Sequence, residues 1–149
     1  MTTSTPTANA VHATASITRD AALSLLAAAR DSSREIGIEV AIAITDAGGH
    51  LVAFERSDAA PFLTAGIAID KAWTAASFGL DTLTWNHVVA APVTAPLAHH
   101  PRVMAVGGGV PILVDGRIVG GVGISGGNAQ QDHDAALAAL RATGFATDK

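Results

Sequence analysis

The sequence predicts an α+β domain in which helices pack on an antiparallel sheet. Two β-hairpin patterns, at residues 38–56 and 110–124, indicate antiparallel strands, because strands joined by a tight turn run in opposite directions. Segments with helical spacing of apolar residues precede and follow each hairpin. The 149 residues fit one domain. We expect residues 1–16 to form a flexible N-terminal tail and residues 17–149 a single domain.

The first half of the chain predicts two helices around a hairpin. Thr18 is a candidate N-cap for the first helix, which should end at Gly37. Strands at 38–45 and 50–56 then enclose a glycine-containing turn. A second helix is predicted from Pro61 to about Phe78, with Gly79 ending it.

The second half predicts a short helix, three strands and a final helix. Asp81 could cap a helical segment through Val89, and the proline-containing stretch 91–101 should be irregular. Asp115-Gly116 is a typical hairpin turn between the last two strands. The last helix should begin near Asn128 and run to about Thr143. The three strands are predicted at 102–106, 110–114 and 117–124.

Nine of the fifteen glycines lie between Gly107 and Gly127. The turn Ser125-Gly126-Gly127 precedes a helix N-terminus, where free backbone N–H groups favour an anion. The alternative is that these glycines only allow close packing. No phosphate-loop motif is present, and the glycines of Gly121-x-Gly123-x-x-Gly126 lie inside a strand instead of after it. The sequence therefore gives no evidence for a nucleotide.

The composition narrows the function classes. A net charge of −4 gives no indication of nucleic-acid binding. The absence of cysteines excludes disulfides and thiolate metal sites. The six histidines lack metal-ligand spacing, so nothing indicates zinc. No apolar run could cross a membrane and no signal peptide is recognisable, so we expect a cytoplasmic protein without a membrane partner. Only 15% of the residues are charged, which predicts a homo-oligomer.

Lys71 is the charged residue of most interest. It lies mid-helix among small and apolar neighbours, where a lysine usually needs a counter-charge or a role. One interpretation is an internal salt bridge, to Asp58 or Asp132. The other is an ammonium group that binds an anion in a pocket. Arg56 and Asp58 end the first hairpin, a place where binding residues are common.

Three ordered blocks resemble the GlcG/HbpS-like haem-binding family, which also supplies the C-terminal domain of some corrinoid adenosyltransferases. The resemblance covers about residues 18–143. The family typically has Asp-Gly-Ala where this chain has Asp58-Ala59-Ala60. The blocks include Arg56-x-Asp58, Ala68-x-x-Lys71-Ala72-x-Thr74-Ala75 and Val119-Gly120-Gly121-Val122-Gly123-Ile124-Ser125-Gly126-Gly127 with Gln131-Asp132.

The resemblance implies a profilin-like fold, with a five-stranded antiparallel sheet between helical layers. It also implies homo-oligomers and haem binding, in some members with haem degradation or redox sensing. The axial ligand is left open, because the family offers no axial-ligand motif to carry over, and metal ligands are unknown. The matched blocks contain no histidine, which keeps an enzyme without haem as an alternative. The matched polar residues resemble a pocket. We expect Arg56, Lys71, Thr74, Ser125, Gly126 and Gly127 to bind ligand, and Asp58 and Asp132 to be catalytic.

The leading hypothesis is a cytoplasmic, oligomeric haem-binding protein. Haem would occupy an apolar pocket, with its propionates near Lys71, Arg56 or Gly126. The first alternative is a cofactor-independent lyase or isomerase acting on a small anionic metabolite, with Asp58 or Asp132 as acid or base. The second is a non-catalytic oligomeric accessory protein. Whether the protein is an enzyme stays open at this point.

Overall fold

The computed structural model describes residues 7–148. Its regular elements follow the predicted order closely, with one strand fewer. They are α1 (Arg19–Ile36), β1 (Ala41–Asp46), β2 (Leu51–Arg56), α2 (Leu63–Phe78), α3 (Thr82–Ala90), a 3₁₀ turn (Ala95–His99), β3 (Gly109–Val114), β4 (Arg117–Ser125) and α4 (Ala129–Ala142).

The sheet has four strands in the order β2-β1-β4-β3, all antiparallel. The prediction of a fifth strand at 102–106 was wrong, because helix side chains satisfy the backbone of this segment. Thr74 Oγ1 donates to the carbonyl of Arg102 at 3.1 Å and accepts from the N–H of Met104 at 3.0 Å. Asn86 donates to the carbonyl of Ala105 at 3.0 Å. The segment is therefore a loop held against α2 and α3.

Helices cover both faces of the sheet. Helices α1 and α4 pack with large aliphatic side chains of the sheet, such as Ile42, Ile44 and Val122, in the main core. On the opposite face, α2 packs Ala68 and Ala72 against Ala41 and Ala43 in a core of small residues. The two faces thus differ in the size of the side chains that they bury.

Glycines bring α2 unusually close to the sheet. A Cβ atom built on Gly123 would lie 2.0 Å from the carbonyl oxygen of Ala68, and one on Gly121 would lie 2.2 Å from that of Ala72. Such distances are far inside van der Waals contact. These β4 glycines therefore serve close packing of a helix on the sheet.

Two predicted turns are present. Asp115 (φ 50°) and Gly116 (φ 74°) form the hairpin turn between β3 and β4, with the positive angles that a type I′ turn requires. Gly126 has φ 151° and leads from β4 into α4. The prediction of a positive φ in the Ser125-Gly126-Gly127 turn is confirmed.

The chain before α1 is bonded to the sheet at residues 16 and 17. Ile17 N–H donates to the carbonyl of Val119 at 2.9 Å, and Ala47 N–H donates to Ser16 Oγ at 2.9 Å. Residues 1–6 of the predicted tail lie outside the described residues, so the tail and the single domain stay predictions. Within residues 7–148, no helix combines the length and apolar character needed to cross a bilayer.

Candidate functional site

Lys71 forms a buried ion pair with Asp132. The Lys71 ammonium lies 3.0 Å from Asp132 Oδ2, and both side chains are 2% exposed. The ammonium also donates to the carbonyl of Ile124 at 2.9 Å. Gly108 makes room for the pair, since a Cβ atom there would lie 2.8 Å from Lys71 Nζ and 2.9 Å from Asp132 Cβ. Of the two salt bridges that the sequence allowed, the structure has the one to Asp132.

Burial sets the electrostatics of this pair. Loss of solvation lowers the pKa of Lys71 from its ordinary value of 10.5, and the charge and hydrogen bond of Asp132 oppose that shift. Desolvation is the larger effect. The buried surroundings thus disfavour the charged form of Lys71, and its contacts with Asp132 favour that form.

The N-terminus of α4 is filled by groups of the chain itself. Asp132 Oδ1 accepts from the N–H of Gly127 at 2.8 Å, so its carboxylate occupies the anion position. Asn128 and Gln131 form a reciprocal capping box. Lys71, Asp132 and the N–H of Gly127 all bond to one another or to the backbone of the chain. A ligand role for Lys71 and Gly127 and a catalytic role for Asp132 stay predictions.

Thr74, Ser125 and Gly126, three further residues of the predicted pocket, also contact other parts of the chain. Thr74 is fully buried and holds the loop at 102–104, as described above. Ser125 is buried, and the backbone of Gly126 lies so close to Glu39 that an added Cβ atom would be 2.1 Å from its carbonyl oxygen. The structure thus brings Lys71, Gly127 and Asp132 together, with Ser125 and Gly126 directly before Gly127, while the hydroxyl of Thr74 bonds to a different segment.

Arg56 and Asp58 are exposed and lie at a different place, in a cavity of about 280 Å³ between α1 and the ends of β1 and β2. We name it the arginine cavity. Arg56 donates to the carbonyl of Ala60 within its own turn. The polar residues that contribute to its wall include Arg30, Ser33, Arg34, Glu55, Arg56 and Asp58.

The residues of the arginine cavity that the sequence did not single out include Arg30, Ser33 and Arg34. Arg30 makes a two-pronged contact with Glu55, at 2.8 Å for each nitrogen, and this contact raises the pKa of the guanidinium. Ser33 is 2% exposed, and its hydroxyl has no hydrogen-bond partner in the described structure. Ser33 follows Ala29 by four residues on the apolar face of α1, so its position was a readable signal. Arg34 carried no such signal.

A largely apolar region lies on the other side of the molecule. One cavity of about 280 Å³ is lined by Val110, Pro111, Leu137 and His133, among others. A neighbouring cavity of about 430 Å³ shares Gly79, Leu113 and Ala146 with it and adds Phe78 and Ile118. We name the two together the histidine cavity. Nδ1 of His133 is buried and has no hydrogen-bond partner in the described part of the chain.

No ready-made metal centre is visible in the described structure. Among residues 7–148, no three His, Cys, Asp or Glu side chains form a group that could hold a metal ion. The other histidines described, including His87 and His100, are exposed.

The comparisons with known proteins identify the family. The profile described as "Haem degrading protein HbpS-like" matches residues 17–141. The chain belongs to the HbpS-like family. GlcG of Escherichia coli K12 is 37% identical over 113 residues, which are 73% of this chain and 81% of that protein.

Two solved members of this structural group extend the comparison. The crystal structure described as a PduOC:heme complex has a TM-score of 0.82 and 30% identity, and the alignment covers 90% of this chain and 99% of that one. The crystal structure of HbpS has a TM-score of 0.87 and 25% identity, covering 95% of this chain and 99% of HbpS. The resemblance found in the sequence is thereby confirmed.

Proposed function

We propose that this HbpS-like protein binds haem. The observation that carries the proposal is the haem complex of PduOC, whose whole length aligns with this chain at 30% identity. The family description, haem degrading protein, supports the same ligand. The profilin-like fold that the resemblance implies is part of the proposal, supported by the TM-score of 0.87 to HbpS.

The histidine cavity fits this ligand. Its lining includes aliphatic and aromatic side chains such as Phe78, Leu113 and Ile118, which suit a porphyrin face, beside the polar Asp81, Asp115 and Asp148. His133 contributes an imidazole whose buried Nδ1 has no partner in the described structure. Imidazole is a common axial ligand of haem iron. Haem bound here would supply a redox-active iron.

The chain's own residues would then have separate roles. His133 would hold the iron, while Phe78, Leu113 and Ile118 would exclude water from the ring. Arg141 donates to Thr147, which lines the cavity, so a cation stands at its rim for a propionate. This arrangement replaces Lys71 as the propionate partner, because its ammonium is enclosed by Asp132 and Ile124.

We also propose a cytoplasmic homo-oligomer. Several large apolar side chains stay exposed in the single chain, among them Phe62 (88%), Leu63 (66%) and Val93 (92%). Burying such side chains against further copies would remove apolar surface from water. Haem degradation and redox sensing are further roles for the same site.

The test is a haem titration of the purified protein, followed by its Soret band. We expect a saturable shift in the wild type, its loss in His133→Gln, and no change in the control His87→Gln on the exposed face of α3. Binding that never saturates would contradict haem binding altogether. Saturable binding that persists in His133→Gln would support haem binding but would show that the haem site does not depend on His133. Loss of the Soret band after a reductant is added would test degradation.

A further inference from the structure

The arginine cavity has unsatisfied groups that point to a second ligand. We propose that it binds a small, singly charged carboxylate, at a site separate from the histidine cavity. Its volume of about 280 Å³ suits a molecule of a few heavy atoms.

The guanidinium groups of the cavity are engaged to different degrees. Arg30 is saturated toward Glu55 by its two bonds of 2.8 Å. Arg34 makes no side-chain hydrogen bond or ion pair within residues 7–148, and Arg56 uses one nitrogen for the carbonyl of Ala60. Arg34 and Arg56 therefore keep donors for a ligand, in the forked geometry that matches a carboxylate.

Ser33 is the second, independent observation. Ser33 is one of the lining residues and is almost completely buried, yet its hydroxyl lacks a partner in the described structure. A buried polar group without a partner costs free energy, so such groups are normally satisfied. Rotation of the Ser33 side chain toward the cavity would let a carboxylate oxygen there accept from this hydroxyl.

The charges around the cavity disfavour an anion that carries more than one charge. Glu55 is paired with Arg30, and Glu39 and Asp58 lie with Arg34 and Arg56 in the same lining, so the three arginines and three carboxylates of the cavity balance in formal charge. A phosphate dianion would meet two carboxylates at close range, which disfavours it. At the end of α1, the carbonyl oxygens of Ser33 and Arg34 both accept a hydrogen bond from the N–H of Gly37, at 3.0 and 3.1 Å.

The walls of the cavity are held by backbone contacts. Ser57 N–H donates to the carbonyl of Val40 at 2.9 Å, which continues the pairing of β1 and β2 beyond Arg56. The backbone of Gly126 packs against Glu39 from the other side. The site is therefore supported by the sheet, as a preorganised binding site should be.

The experiment is an NMR titration with sodium acetate at constant ionic strength, using sodium chloride as the balancing salt. We expect saturable shifts at the Ser33, Arg34 and Arg56 amides, with a Kd on the order of 1 mM. Arg34→Gln and Ser33→Ala should each weaken binding roughly tenfold. Arg19→Gln, which removes an exposed guanidinium of the same helix, is the matched control and should not change it.

Three results would overturn the proposal. The first is the absence of saturable shifts in a protein whose spectrum is that of the folded state. The second is equal binding of inorganic phosphate, which would indicate unselective anion attraction. The third is competition between acetate and haem in the Soret titration, which would assign the cavity to haem carboxylates. Failure of haem binding alone leaves this proposal standing, since acetate is titrated without haem.

Discussion

Lys71 on α2 and Asp132 on α4 form a 3.0 Å ion pair that spans the end of the sheet between its two helical layers. Since each side chain is 2% exposed, the pair is shielded from water and salt. Removing one partner leaves the other charged and buried. The free-energy cost of that unpaired charge is larger than the stabilisation that the intact pair provides.

Lys71→Met is therefore expected to lower the free energy of unfolding by about 3–5 kcal/mol. The double variant with Asp132→Asn should recover part of this loss, because it removes the stranded charge and keeps an oxygen for the Gly127 N–H. Urea unfolding of both variants measures the difference. Arg19→Gln at an exposed pair is the control, and should cost less than about 1 kcal/mol. A loss below about 1 kcal/mol in Lys71→Met together with lost ligand binding would instead favour a ligand role.

The stability that depends on Lys71 should rise with pH on the alkaline side. Burial lowers the pKa of Lys71 below 10.5, so the unfolded chain binds more protons at this site between the lowered pKa and 10.5. Stability rises with pH wherever the unfolded state binds more protons. The difference in unfolding free energy between wild type and Lys71→Met should thus grow with pH from the lowered pKa up to 10.5 and then level off. A difference that stays flat or falls over this range would contradict the lowered pKa.

Gly123→Ala should destabilise the protein, because the new methyl group would lie 2.0 Å from the carbonyl oxygen of Ala68. Overpacking of this kind costs about 1–3 kcal/mol and can cost more. The matched control is Gly66→Ala in α2, where nothing lies within 4 Å of the added atom. That variant should be stabilised by up to about 1 kcal/mol, since alanine favours a helix. Thermal unfolding distinguishes the two, and equal melting temperatures would refute close packing at Gly123.

Thr74→Val should release the loop that follows the 3₁₀ turn. The hydroxyl is replaced by a methyl group, so the N–H of Met104 loses its acceptor. We expect a loss of about 1–3 kcal/mol and faster amide exchange confined to this loop. Ser77→Ala, on the same helix and exposed, serves as the control. Unchanged exchange at Met104 would show that the threonine does not hold the loop.

The elements that could be predicted are those whose signals are local. The Asp115-Gly116 turn and the caps of α1 and α4 follow from the conformations that individual residues adopt. The segment at 102–106, which is apolar after Arg102, was assigned to a strand because its composition favours one. Its backbone instead bonds to helix side chains that are distant in sequence. Such pairing depends on tertiary structure, which a local pattern does not contain.

The candidate site shows the same division. A lysine among small residues predicts that a counter-charge exists, but only the arrangement of α2 and α4 selects Asp132 over Asp58. Arg56 and Asp58, which were singled out for their place at the end of the first hairpin, do share a cavity, although Lys71 is not part of it. Arg34 was missed because an arginine near the end of a helix is ordinarily a solvated charge.

The glycine contacts between α2 and the sheet also make the tolerance of the chain to substitution uneven. On the α1 and α4 side, the aliphatic side chains can be exchanged and repacked, provided that their total volume is kept. On the α2 side, the atoms in contact at Gly121 and Gly123 are backbone atoms, which no rotamer change can move aside. A library built to vary the first side should yield many folded proteins. A library of the same kind on the α2 side should yield almost no folded proteins. A redesign for a new ligand would therefore have to begin on the α1 and α4 side.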